Sequence, residues 1–325
     1  EGARHGPAMM ASGSEGGWGR IEPWFEKAAA SFNGESCFAR VGQSASGHFV
    51  KMVHNGIEYA LMQLIAEVYQ LLRIGTGRSP KEVAEIFNDW SQGQLNSYLL
   101  SISSHILSLE NQNNVPLADL IDNKVGAKGT GLWTAQNALE LGIAVPSLVA
   151  AVQARHLTNA CNTTAAQEMS YAAKSTNNVD IDLEELKDAF LLASLLAYRQ
   201  GLALIKGASR THQWKVDLSK TLQTWRAGCI IRADYLDSVA QGVEFIDTLE
   251  KESNSLRKIT GQAVMTGLAF PVLGATQTYL ATLTTPSNGH LVQAQRDYFG
   301  EHGVKTHSGE ACHLTDLVDL DAKVR

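Results

Sequence analysis

Cysteine is scarce in this sequence, and its four cysteines lie far apart, at Cys37, Cys161, Cys229 and Cys312. No two of them form a CxxC pair, so their spacing favours reduced thiols over a disulfide framework or a thiolate metal site. Charged residues are scarce too, at 18 % of the sequence, and the net charge is −6. A general nucleic-acid binder neutralises phosphates with an excess of Lys and Arg. We therefore expect no nucleic-acid partner.

Long uninterrupted apolar runs are also missing. The best candidates, residues 141–154 and 190–197, are too short to span a bilayer, and Pro146 interrupts the first of them. The sequence opens with Glu1 and Gly2, without an initiator Met, and does not resemble a signal peptide. These features predict a cytoplasmic protein with no membrane partner. They also lead us to expect that this chain is part of a longer one.

A dinucleotide-binding fingerprint is the third absence. The Gly-rich residues 13–19 do not have the GxGxxG spacing, and no such motif follows a predicted strand elsewhere. The sequence therefore assigns no cofactor-binding residues.

What the sequence does contain is a long helical pattern, and 44 % of its residues are hydrophobic. Residues 1–44 combine a Gly-rich stretch, an amphipathic run (18–32) and a strand-like segment (38–41), which indicates a remnant of an α/β unit. The predicted helices further on include residues 49–73, 80–107, 182–207 and 218–232. The predicted fold is mostly α. A short α/β remnant of a Rossmann-type domain (1–44) precedes a large all-helical domain (45–290) and a C-terminal tail (291–325).

The most informative segment is residues 47–59, where polar side chains interrupt an apolar helix. Lys51, His54, Asn55 and Glu58 recur at i, i+3, i+4 and i+7. Helical geometry places them within about 100° of one another on one face. The helix is apolar on nearly every other side, which is typical of a buried helix. Such polar groups are costly unless they pair with one another or line a wet pocket.

Two interpretations of this stripe are open. One is a buried ion pair between Lys51 and Glu58, supported by His54 and Asn55. The other is the wall of a site, with an amine that acts as a base and a carboxyl group that acts as an acid. We prefer the second because the polarity ends at Glu58, and the same face continues with apolar residues.

Residues 47–59 resemble the catalytic helix of the 6-phosphogluconate dehydrogenases nearly letter for letter. Three further segments resemble that family in the same order: residues 128–135 its phosphate-contacting loop, 225–232 a core motif, and 293–300 the start of its C-terminal tail. Residues 1–7 also match the sequence that follows the family's Ser-Gly-Gly substrate loop. The resemblance spans most of the chain.

The resemblance implies an enzyme that oxidises 6-phosphogluconate with NADP and releases carbon dioxide to give ribulose 5-phosphate. Lys51 is then expected to be the general base, and Glu58 the acid that protonates the enediol. The residues expected to bind the substrate are His54, Asn55, Tyr59, Lys128, Thr130, Arg155, Arg296 and His302. A homodimer is implied as well, in which each tail reaches the neighbouring subunit's site.

Several of these residues carry little signal without the family. Lys128 alone is typical of a solvated surface lysine, Arg155 of a charge on a helix face, and His302 alone is a weak candidate. We interpret Trp225, Arg226 and Arg232 as structural. No metal site is predicted, since the set His307, Cys312 and His313 lies in a loose tail without visible supporting ligands.

The chain departs from the family in two ways. The nucleotide-binding domain and the Ser-Gly-Gly loop are not in it, so a preference for NADP over NAD cannot be read from the sequence. Residues 303–325 also lack the aromatic, His-containing close of many members. One hypothesis is thus a part of an active dehydrogenase whose nucleotide-binding domain lies outside this sequence. The alternative is a non-catalytic module for sugar-phosphate binding or dimer scaffolding.

Overall fold

The computed structural model describes residues 2–161, 179–240 and 250–317. The chain forms two compact units, Glu1–Gln277 and Thr278–Arg325. The domain boundaries expected after residues 44 and 290 stay predictions.

The first unit begins with a βαβ arrangement. A short helix, α1 (Gly2–His5), precedes strand β1 (Met9–Ser12), helix α2 (Glu15–Ala28), a hairpin of β2 (Ser31–Phe32) and β3 (Glu35–Ser36), and strand β4 (Phe38–Gly42). β1 and β4 pair in parallel, as a helical crossover requires. The side chain of Ser14 starts α2 by accepting a hydrogen bond from the N–H of Gly17. The predicted α/β remnant is confirmed, although α2 ends at Ala28 and residues 31–32 are extended.

The central element is helix α3 (Ser46–Gln70), which continues into a π-helical segment, Leu71–Gly75. Its first turn lies directly against β1, because a Cβ atom at Gly47 would be 2.4 Å from the carbonyl oxygen of Met10. Its apolar residues, among them Val50, Val53 and Ile57, are fully buried. The polar stripe thus lies on a core helix, as the sequence predicts.

Three helices pack around α3: α6 (Thr130–Glu140), α7 (Pro146–Cys161) and α8 (Leu183–Thr211). Asp182 caps α8 by accepting hydrogen bonds from the N–H groups of Glu184 and Glu185. α8 is long and apolar enough to cross a membrane, but 78 % of its most apolar window is buried inside the protein. It crosses α3 closely, since a Cβ atom at Gly201 would lie 2.5 Å from the side chain of Ile57. These properties are those of a core helix.

The helix predicted for residues 80–107 is wrong, because it is two helices. α4 (Pro80–Ser91) begins with a capping box of Ser79 and Glu82, and α5 (Tyr98–Ser108) begins at a second cap, Ser97. The turn between them includes Gly93, which weakens a helix interior. Ser97, an N-cap residue within the apolar run, was the sequence signal for the start of a second helix.

The helix predicted for residues 218–232 is also shorter than expected. α9 (Leu218–Thr224) ends before Trp225, and Gly228 has a left-handed φ of 68°. A Cβ atom at Gly228 would lie 2.6 Å from the backbone nitrogen of Ala8, whose N–H donates to the Gly228 carbonyl. A contact with the N-terminal segment therefore overrides the local helical preference.

A buried carboxylate joins α3 to a later helix. After α10 (Leu236–Ala240) and α11 (Glu250–Met265), α12 spans Pro271–Thr284. Glu67 of α3 is 1 % exposed and accepts hydrogen bonds from the N–H groups of Val272 (2.9 Å) and Leu273 (2.8 Å). It thereby satisfies two donors that the first turn of any helix leaves unpaired.

The second unit contains helix α13 (Gly289–Gly300), a hairpin of β5 (Val304–Lys305) and β6 (Ala311–Cys312), and a last turn, α14 (Leu314–Leu317). The weak periodicity of the tail thus corresponds to short elements after one helix.

Candidate active site

The structure brings Lys51, His54 and Asn55 together on the polar stripe of α3. Lys51 Nζ donates a hydrogen bond to Asn55 Oδ1 at 2.8 Å and lies 3.2 Å from His54 Nδ1. The spacing of three and four residues places the side chains on adjacent turns, as the sequence predicts. The amine is therefore oriented by both of its neighbours.

The imidazole of His54 is neutral in this arrangement. Burial, followed by the charge of Lys51, lowers the pKa of His54 to about 3. Lys51 Nζ can donate to Nδ1 only if the ring proton lies on Nε2. Nε2 is buried and has no hydrogen-bond partner among the described residues, and the ring contacts the indole of Trp225 edge-on. Trp225 is itself fully buried, which fits its structural interpretation.

The environment shifts the pKa values of Lys51 and Glu58 toward each other. The Lys51 amine keeps access to solvent, but the protein packed around its stem lowers its pKa, and Glu58 partly opposes that shift. Burial raises the pKa of Glu58, against the opposing charges of Lys51 and Arg155. The two side chains form no ion pair within 4.0 Å in the part of the chain that the structure describes. This geometry favours the site wall over the buried ion pair.

A hydrogen bond between side chains ties the stripe to α6. Asn55 Nδ2 donates to Thr130 Oγ1 at 3.1 Å, and Thr130 is the first residue of α6. Sequence reasoning missed Thr134, one turn later, which is fully buried and whose hydroxyl lies 2.9 Å from the carbonyl oxygens of both Met52 and Thr130. Thr134 can pack this close to α3 because residue 56 is glycine: a Cβ atom at Gly56 would be 2.6 Å from Thr134 Cγ2. A glycine within the stripe was the available signal for this close approach.

Arg155 and Tyr59 form a second part of the same region. The guanidinium carbon of Arg155 lies 3.3 Å from the centroid of the Tyr59 ring, and its Nη1 donates to the carbonyl of Gly126 at 3.4 Å. Both residues are buried. A Cβ atom at Gly131 would be 2.6 Å from the Tyr59 ring, so α6 also presses on this side chain.

The other three predicted substrate residues are placed differently. Lys128 is exposed in the loop before α6 and makes no hydrogen bond or ion pair with any described residue. Arg296 and His302 belong to the second unit. Arg296 Nη1 donates to Gln293 Oε1 at 3.4 Å, and His302 lies against Gly300.

The candidates for metal binding are not gathered. Over residues 2–161, 179–240 and 250–317 there is no group of three His, Cys, Asp or Glu side chains that could hold a metal ion. His313 instead pairs with Asp297, with Nδ1 and Oδ1 2.8 Å apart.

Comparison with known proteins identifies the family of this chain. A family model described as 6-phosphogluconate dehydrogenase, C-terminal domain, matches residues 47–316. The chain belongs to the 6-phosphogluconate dehydrogenase family. Its similarity to the decarboxylating enzyme of Schizosaccharomyces pombe is 37 % identity over 93 % of this chain and 65 % of the relative. For the enzyme of Haemophilus influenzae the identity is 36 %, over 93 % and 66 %.

A solved structure of the 6-phosphogluconate dehydrogenase family has the same fold. The Plasmodium falciparum enzyme superposes with a TM-score of 0.89 at 34 % identity, over 97 % of this chain and 72 % of that chain. That enzyme was determined in its apo form, with its cofactor NADP+, and with its substrate 6-phosphogluconate. The present chain spans about two thirds of the length of its curated relatives.

Proposed function

We propose that this chain supplies the acid–base residues for the oxidative decarboxylation of 6-phosphogluconate to ribulose 5-phosphate and carbon dioxide. The observation that carries the proposal is the α3 face on which Lys51 is held by His54 and Asn55, with Glu58 one turn further on. Family membership gives the substrate class, because the relatives are named for it.

Lys51 acts as the general base at the C3 hydroxyl. A neutral amine takes the hydroxyl proton while C3 loses a hydride and becomes the ketone, and the lowered pKa of Lys51 increases the neutral fraction of the amine. Bound NADP would supply the acceptor for that hydride. The ammonium ion that results then gives that proton to the ketone oxygen as carbon dioxide leaves, which forms the enediol and returns Lys51 to the neutral amine. The hydrogen bond to Asn55 and the contact with His54 keep the amine in place through both steps.

Glu58 acts as the acid that protonates C1 of the product. A carboxyl group must hold a proton to donate it, and burial raises the pKa of Glu58 in that direction. Its proton goes to carbon as the enediol becomes the keto sugar. Lys51 receives the enediol hydroxyl proton in the same step, so the two groups change roles together.

The remaining residues of the site position the substrate. Asn55 and Thr130, which share a hydrogen bond, offer groups to the sugar hydroxyls. Lys128 has no protein partner among the described residues and stands beside the N-terminus of α6, a suitable place for a phosphate dianion. Arg155 can add two parallel N–H donors. Arg296 and His302 complete the set from the tail of a partner subunit in a homodimer.

NADP is the cofactor that family membership suggests, but the residues that the structure describes do not form a dinucleotide site. The sequence has no GxGxxG loop. In the two-stranded sheet of β1 and β4, the turn from β1 into α2 also lacks this motif. We therefore assign no contact to the nucleotide. The cytoplasmic location is likewise a proposal, and one relative, from rice, is named chloroplastic.

Calorimetric titration of the 325-residue chain with 6-phosphogluconate tests the binding half of the proposal. Binding that weakens in Lys128→Ala, but not in the exposed control Lys81→Ala, is the expected result. Absence of binding in a folded chain would contradict a substrate pocket built largely from these residues.

Turnover in the complete gene product tests the chemical half. Activity that is lost in Lys51→Ala, with substrate binding retained, supports the dehydrogenase. Substrate binding without any turnover in the wild-type protein would instead favour the non-catalytic module.

A further inference from the structure

Asp297 is a buried carboxylate that the proposed chemistry does not use. It lies in α13, and its side chain is 3 % exposed. Three donors from the following residues converge on it: the N–H of Gly303 (2.6 Å) and His313 Nδ1 (2.8 Å) on Oδ1, and the N–H of Leu314 (2.7 Å) on Oδ2. The carboxylate therefore connects the turn after α13 to the residues that follow the β5–β6 hairpin.

The backbone of Gly303 is held through both its N–H and its carbonyl group. Its N–H donates to Asp297, and its carbonyl accepts a hydrogen bond from Gln293 Nε2 at 2.6 Å. Gln293 and Asp297 are four residues apart, so they lie on the same face of α13. The chain reverses here through two left-handed residues, Glu301 (φ 52°) and Gly303 (φ 75°).

His302 lies between these two left-handed residues. Its ring packs over Gly300, where a Cβ atom would be 2.9 Å from Nε2, and it contacts the Phe299 ring edge-on. The direction of the imidazole therefore depends on the turn, and the turn depends on the bonds to Gly303.

We propose that Asp297 is the positioning residue of the tail, whose hydrogen bonds to Gly303, His313 and Leu314 fix the turn that orients His302. This inference rests on the proposed function, in which His302 and Arg296 bind the substrate. Asp297 acts through them and does not touch the substrate itself.

Only a carboxylate satisfies all three neighbours. Each of them donates, and a carboxylate has acceptors alone, whereas the amide of Asn would turn an N–H₂ group toward one of the donors. The Leu314 N–H, followed by His313, lowers the pKa of Asp297, and Asp297 in turn raises the pKa of His313. The pair is thus a charge-assisted hydrogen bond, which is stronger than a neutral one.

The first experiment compares Asp297→Asn with Glu310→Gln, which removes an exposed carboxylate from the same tail, in the complete gene product. We expect Asp297→Asn to raise KM for 6-phosphogluconate about tenfold, because a displaced binding group loses orientation. The value of kcat should stay within about twofold, because Lys51 and Glu58 lie on α3. Glu310→Gln should change neither constant. An unchanged KM in an active Asp297→Asn enzyme, or a fall in kcat alone, would overturn the inference.

A second pair of variants isolates the bond to His313. His313→Asn keeps an N–H donor near the position of Nδ1, and His313→Leu does not. We expect KM to stay close to wild type in the first variant and to rise in the second. Equal KM values in the two variants would contradict a role for this hydrogen bond.

Amide hydrogen exchange gives a readout that does not depend on activity. The N–H groups of Gly303 and Leu314 should exchange faster in Asp297→Asn than in wild type, while those in the middle of α3 should not change. Unchanged exchange at both sites overturns the inference even if the wild-type chain has no turnover. A wild-type protein without turnover or substrate binding, but with the expected exchange, would overturn the proposed function alone.

Discussion

The guanidinium group of Arg155 stacks on the ring of Tyr59, with its central carbon 3.3 Å from the ring centroid. The contact joins α7 to α3. It also places the positive charge of Arg155 close enough to Glu58 to oppose the rise in the pKa of that carboxyl group. A planar guanidinium can stack on the ring and still direct its N–H groups at a ligand, which an ammonium ion cannot do.

Arg155→Lys should therefore behave as a non-conservative substitution. We expect KM for 6-phosphogluconate to rise about tenfold or more, because one lysine cannot replace two parallel donors and the stacking contact. Tyr59→Phe keeps the ring and therefore the stacking contact, and it tests separately the hydroxyl of Tyr59, which is itself expected to bind the substrate. If Arg155→Lys binds the substrate as tightly as wild type in a calorimetric titration, the assigned role of Arg155 is wrong.

Removal of the base should affect the chemical step more than binding. Lys51→Ala is expected to lower kcat about 10²- to 10⁴-fold, the range typical of a positioned general base. Lys81→Ala, an exposed lysine of α4, should leave kcat unchanged. Steady-state rates together with the calorimetric Kd separate the two effects. A Lys51→Ala enzyme with wild-type kcat would exclude Lys51 as the base.

The pH dependence of kcat should reflect one proton shared between Lys51 and Glu58. The reactive form, with neutral Lys51 and protonated Glu58, carries the same number of protons as the form in which Lys51 holds the charge. Activity should therefore fall below the pKa of Glu58 and above that of Lys51. Burial raises the first pKa and lowers the second, so the plateau is narrower than free side chains would give.

Glu58→Gln tests this assignment, because it removes the group responsible for the acidic limb. The residual activity of the variant should rise with pH through the pKa of Lys51 and no longer fall above it, because neutral Lys51 is then the only protonation state required. An unchanged acidic limb in a kcat profile measured at saturating substrate would assign that limb to another group.

Much of this site could be predicted from the sequence, since its chemistry lies on one helix. The spacing of Lys51, His54, Asn55 and Glu58 predicts a shared face, and the structure shows the first three in contact. The apolar residues around them predict a buried helix, which α3 is. Local periodicity suffices here because the contacts are one helical turn apart.

Contacts between distant residues could not be predicted in the same way. Thr134 and Arg155 meet α3 only after the helices pack, and nothing local marks either residue. The helix expected over residues 218–232 ends early because Gly228 contacts Ala8, more than two hundred residues away. Helical propensity is a weak guide where a tertiary contact of this kind competes with it.

The buried carboxyl group of Glu67 predicts that the stability of the protein depends on pH. Burial raises its pKa to about 7, against the hydrogen bonds from Leu273, Val272 and Gln63. The folded state thus binds a proton that the unfolded chain, with a pKa of about 4.3, has released. Its contribution to stability is complete below that lower value and is lost as the pH rises through about 7.

Glu67→Gln isolates this contribution because it cannot ionise. Between the two pKa values the free energy of unfolding of wild type should fall by up to about 1.4 kcal/mol per pH unit relative to the variant. Urea denaturation at several pH values measures the difference. Parallel stability curves for the two proteins would show that Glu67 does not titrate in this range.

Close packing between α3 and α6 gives a further prediction, on stability. Gly56→Ala would place a methyl group 2.6 Å from Thr134 Cγ2. We expect a loss of about 1–3 kcal/mol from overpacking, with a weaker Asn55–Thr130 hydrogen bond and a higher KM. Gly261→Ala on α11 is the control, because nothing lies within 4 Å of its Cβ position. It should stabilise the protein by about 0.4–1 kcal/mol, and a similar change at both positions would contradict the packing argument.

The close approach of Gly47 to β1 also limits which residue position 47 can hold. A Cβ atom there would be 2.4 Å from the carbonyl oxygen of Met10. Any residue other than glycine would therefore push the first turn of α3 away from β1. Because Lys51 lies one turn further along α3, the absence of a side chain at position 47 helps to set where that amine stands relative to the α/β unit.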